Sequence, residues 1–241
     1  MLIRKLLILP ALLAVTAAWA QNNLLVEAPN VQKRVVGAFH GVDVSSSIDL
    51  IIKQGDEDGV AISASDIKTR DMIVTEVRDG ILHIFLNERG GFHWMWGDHH
   101  MKAYVSIRNI DHLGASGSSD VYVDGTLKTQ SLNIDLSGSS DFKGAVEAAH
   151  LELHQSGSSD SNIQGTATDL QVHLTGSSDC KGYGMVVDNC AVEATGSSDT
   201  QITVNKELSV HATGSSDVYY KGTAVVREFH TSGSSSISKK G

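Results

Sequence analysis

The chain has 241 residues, 41 % of them apolar, and a net charge of −9 at neutral pH. Length and apolar content suit one elongated domain with a long, thin core, and with only two prolines a mucin-like or disordered composition is excluded. The acid excess argues against a nucleic-acid partner, because phosphate binding needs clustered Lys and Arg.

Residues 1–20 read as a secretory signal peptide. Arg4 and Lys5 precede an apolar stretch from Leu6 to Ala18, and Ala18-Trp19-Ala20 is a small-x-small cleavage signal after Ala20. The stretch is too short for a comfortable membrane span, and no later segment is long and apolar enough for one. The mature chain is therefore expected to be exported and to lack a transmembrane segment, in the periplasm, on the outer surface or outside the cell. Residues 21–33 read as a linker.

Residues 34–110 carry strand patterns over Val42–Lys53, Val60–Ala64, Met72–Val77, Ile81–Leu86 and Met101–Ile107, with turns at Gly55-Asp56, Asp79-Gly80 and Gly90-Gly91. They are expected to form irregular first coils and a cap; a separate small β-domain is the alternative. Between the last two strands lies a glycine-flanked loop with Phe92, His93, Trp94, Trp96, Asp98, His99 and His100. Its aromatic residues suit a lid over the core, and the loop also suits a partner or ligand contact through Phe92, Trp94, Trp96, His99 and His100. His93, Asp98, His99 and His100 make it a third candidate, a metal site.

From residue 111 to 236 the sequence repeats. The motif [Ser/Thr]-Gly-Ser-Ser-[Asp/Ser] occurs seven times, with glycines at 117, 138, 157, 176, 196, 214 and 233, about 19 residues apart. Before each glycine, apolar and polar residues alternate, as in Leu132, Ile134 and Leu136 around Asn133 and Asp135. That is a strand with one buried face. Gly-Ser-Ser is turn chemistry, and Gly125, Gly165, Gly184 and Gly222 mark a second turn. One such unit cannot bury its own apolar face, but stacked copies can. The expected fold is all-β: a single-stranded parallel β-helix of about 19 residues per coil, right-handed by the rule for crossover connections. Residues 237–241 read as a tail.

Stacking turns each motif position into a ladder. Asp120, Asp141, Asp160, Asp179, Asp199 and Asp217 form one, with strand-spaced carboxylates that either bind Ca²⁺ or accept turn N–H bonds. The spacing lacks the calcium-binding nonapeptide pattern, which favours the turn. A second ladder, Asp135, His154, His173, Glu193, His211 and His230, faces outward by alternation. Its adjacent pairs His154/His173 and His211/His230 are candidate zinc or copper ligands, or an ordinary solvated face. Cys180 and Cys190 both fall at inward positions of one coil, and export makes them a candidate disulfide, with two reduced core thiols as the alternative. No catalytic motif or cofactor signature appears beyond the divalent cation these ladders suggest.

The block Val35-Val36-Gly37-Ala38-Phe39-His40-Gly41-Val42-Asp43-Val44, then Ile48 to Asp56, Val77 to Ile84 and the Ser-Gly-Ser-Ser-Asp ladder, resembles the putative auto-transporter adhesin head GIN domain family over residues 34–236. The resemblance implies an exported bacterial β-helix protein with an adhesin-like role, no established reaction and no catalytic residue to carry over. The expected function is thus non-enzymatic binding to a glycan or cell-envelope component, or self-association. A periplasmic structural or oligomerising scaffold and a polysaccharide-active enzyme are the alternatives.

Overall fold

The computed structural model describes residues 28–87 and 100–241. Residues 1–20, read as a signal peptide with cleavage after Ala20, and Phe92, His93, Trp94, Trp96, Asp98 and His99 lie outside the described residues. The rest is a parallel β-solenoid of about seven turns, about 19 residues per turn, as the repeat spacing predicts.

Five long strands make the regular coils: β9 (Val121–Leu136), β10 (Phe142–Gln155), β11 (Ser161–Gly176), β12 (Cys180–Gly196) and β13 (Thr200–Gly214). Each pairs in parallel with the next, placing Leu132 beside Leu151, Leu151 beside Leu170, and Leu170 beside Cys190. The last coil is β14 (Asp217–Lys221), β15 (Val225–Thr231) and β16 (Ser236–Lys239). The second turn separates β14 from β15 but does not break β9 to β13. Each bends through it, with bulges between Lys143 and Ala145 and between Asn162 and Gln164. Gly125, Gly165 and Gly222 take a positive φ there and Gly184 does not.

Alternation buries one apolar column per face, including Ile134, Leu153, Val172, Val192 and Val210, in one continuous cluster. Burying each such side chain contributes about 1.5–3 kcal/mol. Polar side chains depart from this at Gln155, Ser161 and Thr200, which are also inward and buried. Gln155 and Ser161 satisfy one another, Ser161 Oγ donating to Gln155 Oε1 at 2.7 Å, while Gln155 Nε2 donates to the Ser159 carbonyl. Buried polar groups persist when paired in this way.

The N-terminal part joins the same sheet. The single strand expected over 42–53 is two, β2 (Gly41–Val44) and β3 (Ile48–Gln54). Ser46 and Ser47, at φ 66° and 59°, make a corner between them. The chain continues through β4 (Gly59–Ser63), α1 (Ile67–Met72), β5 (Ile73–Arg78), β6 (Ile81–Leu86), β7 (Met101–Ile107) and β8 (His112–Ala115). The one-turn α1 has no sequence periodicity to announce it. It is held by Asp66, whose carboxylate accepts from the Thr69 N–H at 2.9 Å.

Coil order differs from chain order. β2 lies between β6 and β8, and β3 between β7 and β9, so the coil met first in the sequence is not the outermost. Antiparallel strands cover the outer edges: β5 on β6, β4 on β7, and β1 (Gln32–Arg34) on β4. This covers an edge that would otherwise present free backbone groups.

Candidate functional site

The corner of each coil is built by its glycine. Gly138, Gly157, Gly176, Gly196, Gly214 and Gly233 have φ between 76° and 105°. Each stacks on the glycine one coil before. A Cβ on Gly157 would lie 2.6 Å from the Gly138 carbonyl oxygen. The following serine N–H donates to that same stacked carbonyl, as Ser158 does to Gly138 at 2.8 Å. The second motif serine is fully buried in six coils, at Ser119, Ser140, Ser159, Ser178, Ser198 and Ser216. Where the bonds run between coils they point backward: Ser140 Oγ accepts from the Ser119 N–H, and Ser216 Oγ from the Ser198 N–H.

The Asp ladder runs along this corner and its bonds point forward. Asp120 Oδ1 accepts from the Asp141 N–H, Asp141 from Asp160, Asp160 from Asp179, Asp179 from Asp199 and Asp199 from Asp217, all at 3.2–3.3 Å. Asp217 closes the row by accepting from the N–H and hydroxyl of Ser236. Each carboxylate thus ties its coil to the next rather than closing its own turn. Burial and neighbouring carboxylates raise the pKa of Asp141 and Asp199, while the Ser236 hydroxyl lowers that of Asp217. One oxygen of each carboxylate is committed to backbone.

The ladder has an earlier rung that lacks the glycine motif. Ser45-Ser46-Ser47-Ile48-Asp49 occupies the corner before Ser116-Gly117-Ser118-Ser119-Asp120: the Ser119 hydroxyl accepts from Ile48, and Asp49 accepts from the Asp120 N–H. Ser46 supplies the positive φ that glycine supplies elsewhere. The clue in the sequence was a serine run followed by Asp. Burial and the Asp120 carboxylate raise the Asp49 pKa, against the opposing pull of Lys102 and of His100 at the edge of β7.

The outward row three residues before each corner is longer than the sequence suggested. Strand pairing aligns His83, Asp43, Gly114, Asp135, His154, His173, Glu193, His211 and His230 on successive strands. Among the described residues, six histidines stand on this face once His112, two residues before Gly114, is counted. Gly114 leaves a gap in the row. A Cβ there would collide with the Asp43 carboxylate. The gap opens a surface cleft of about 370 Å³ lined by Asp43, His83, Phe85, Asp135 and Ser137 among others.

Asp43 is the centre of the cleft. Its Oδ1 is 2.7 Å from His112 Nε2 and its Oδ2 is 3.3 Å from His83 Nδ1. The His112 hydrogen bond holds the Asp43 carboxyl below its ordinary range, and the Asp43 hydrogen bond raises the His112 pKa. Asp135 approaches the other ring nitrogen of His112 at 3.7 Å. Hydrogen-bonding groups of both signs beside one aromatic wall suit a polar ligand with a hydroxyl-rich or charged surface.

Further along, the His154 and His173 rings stack 4.7 Å apart and 7° from parallel, and the His211 and His230 rings 4.9 Å apart at 26°. Cys180 and Cys190 are buried free thiols. They stand at the inward positions that their register predicts. Both fill core positions as small apolar side chains. Burial pushes the Cys180 thiol up to about 11 and raises that of Cys190 further.

Residues 38–224 match the family model described as putative auto-transporter adhesin, head GIN domain. No curated protein matches the chain. Among solved structures, a putative adhesin from Bacteroides fragilis superposes with a TM-score of 0.77 at 17 % identity, covering 87 % of this chain and 96 % of its own. A putative lipid binding protein from Parabacteroides distasonis gives 0.69 at 18 % identity, covering 89 % and 97 %. A putative adhesin from Parabacteroides merdae gives 0.69 at 17 %, covering 88 % and 95 %. At such identities these likenesses concern the fold.

Proposed function

The chain belongs to the family described as putative auto-transporter adhesin, head GIN domain, and from that premise we propose that it is an exported, non-enzymatic binding module of the bacterial cell envelope. Its contact surface is the histidine and carboxylate face, and its ligand is a glycan or another polyhydroxylated envelope component. The observation that carries this reading is the cleft made where Gly114 interrupts the row, with Asp43, His83 and Asp135 offering hydrogen bonds beside Phe85. Export rests on the pattern of residues 1–20. No helix among the described residues is long and apolar enough to cross a membrane.

Glycan-array binding with the untagged mature chain tests this. Binding is expected, and His83→Ala and Asp135→Ala should each weaken it about tenfold, the value of one hydrogen bond to a charged group. Turnover of a bound polysaccharide would overturn the non-enzymatic reading. Binding unchanged in both variants would remove the cleft from the contact.

A scaffold role is the second reading, favoured by the C-terminal coil. Its apolar residues Val225 and Phe229 are 57 % and 62 % exposed, and among the described residues no strand covers the outer edges of β15 and β16. An open solenoid end of this kind suits end-to-end stacking.

A further inference from the structure

We propose that Glu152, His154 and His173 form a surface site for a divalent transition metal of the zinc class, with Glu193 as the residue that orients His173. It lies on the same outer face as the cleft but does not depend on glycan binding. The ligand atoms of Glu152, His154 and His173 lie within 4.8 Å of one another. A tetrahedral zinc ion with bonds of 2.0–2.1 Å holds its ligand atoms about 3.4 Å apart. Side-chain rotation closes that gap without moving the coils, because all three side chains stand on the half-exposed outer face of two strands that are already paired, His154 beside His173.

The chemistry fits borderline metals. Two imidazoles and one carboxylate make a three-ligand set that leaves a coordination position open to water or a partner's group. Calcium and magnesium, which prefer all-oxygen shells, are disfavoured. His173 Nδ1 is 3.2 Å from Glu193 Oε2. A carboxylate on one ring nitrogen fixes the tautomer that presents the other nitrogen to a metal. His154 Nε2 and Glu152 Oε1 are already 2.8 Å apart, so both groups converge on one point.

The second stacked pair is an internal control. His211 and His230 stack at a similar distance, and Glu228 precedes His230 as Glu152 precedes His154. Among the described residues, however, no carboxylate joins that pair in a cluster tight enough to hold an ion. The structure therefore separates two histidine pairs that the sequence makes alike.

Isothermal titration of the untagged mature chain with zinc chloride at pH 7.5 is the test. Wild type should bind with heat. His154→Ala and His173→Ala should each weaken binding about tenfold or more, Glu193→Gln less so, and the His211→Ala/His230→Ala double variant should bind like wild type. Binding should vanish near pH 5, where protons compete for the imidazoles. Unchanged melting temperatures of the apo variants would show that they fold. In wild type, zinc should shift the His154 and His173 imidazole resonances before those of other histidines. No zinc binding, binding that survives loss of both His154 and His173, or first shifts at other histidines would each overturn the assignment.

Discussion

At the scale of the residue, the corner glycines are the least replaceable positions. Two effects act on them: a backbone with φ near +80° and the stacking of one corner on the next. Gly117 has the φ alone, since a Cβ there would meet nothing closer than 3.6 Å. Gly157 has both. Gly117→Ala should cost about 1–2 kcal/mol, the left-handed penalty. Gly157→Ala should cost about 1–3 kcal/mol more, from overpacking against the Gly138 carbonyl. Urea denaturation of the two variants checks the difference, and equal losses would mean that the stack relaxes freely. The Asp residues beside these glycines were legible as a ladder from spacing alone. That their oxygens bond the next coil rather than their own turn was not, because a single repeat contains only one partner of each bond.

At the scale of the element, β2 and β8 are joined by more than backbone. His112 on β8 and Asp43 on β2 share a short hydrogen bond, with Asp135 on β9, His83 on β6 and Asp111 just before β8 contributing charge around them. The raised His112 pKa means its stabilisation is complete below the unfolded value of about 6.5 and is lost as pH rises through the folded value. The lowered Asp43 pKa means its contribution is present above about 3.9 and is lost as pH falls through the folded value. Together they stabilise most between about pH 4 and 6.5. The gap in melting temperature between wild type and His112→Asn should be widest in that window and should shrink toward pH 9. A gap that stays constant would show that the charge on His112 contributes nothing. Asp43 and His112 are 69 positions apart, so no local pattern pairs them.

At the scale of the whole molecule, a solenoid is stabilised coil by coil and its ends are its weak points. The N-terminal end is covered by the antiparallel strands β1, β4 and β5, whereas the last coil leaves Phe229 exposed. If that end stacks on a second copy, Phe229→Lys should abolish any concentration-dependent association seen by light scattering while leaving the melting temperature nearly unchanged. Association that persists would place the contact elsewhere. The sequence by itself determined the solenoid, its period, its inward column and its two outward ladders. All of these follow from one unit repeated so that each residue meets its own copy one coil away. Only the tertiary structure decided that the first coil lies inside the second, that Ser45 to Asp49 is a disguised corner, and that Gly114 opens a cleft over Asp43. These depend on which distant strands pair, and parallel pairing leaves no mark in the local sequence where the repeat has decayed.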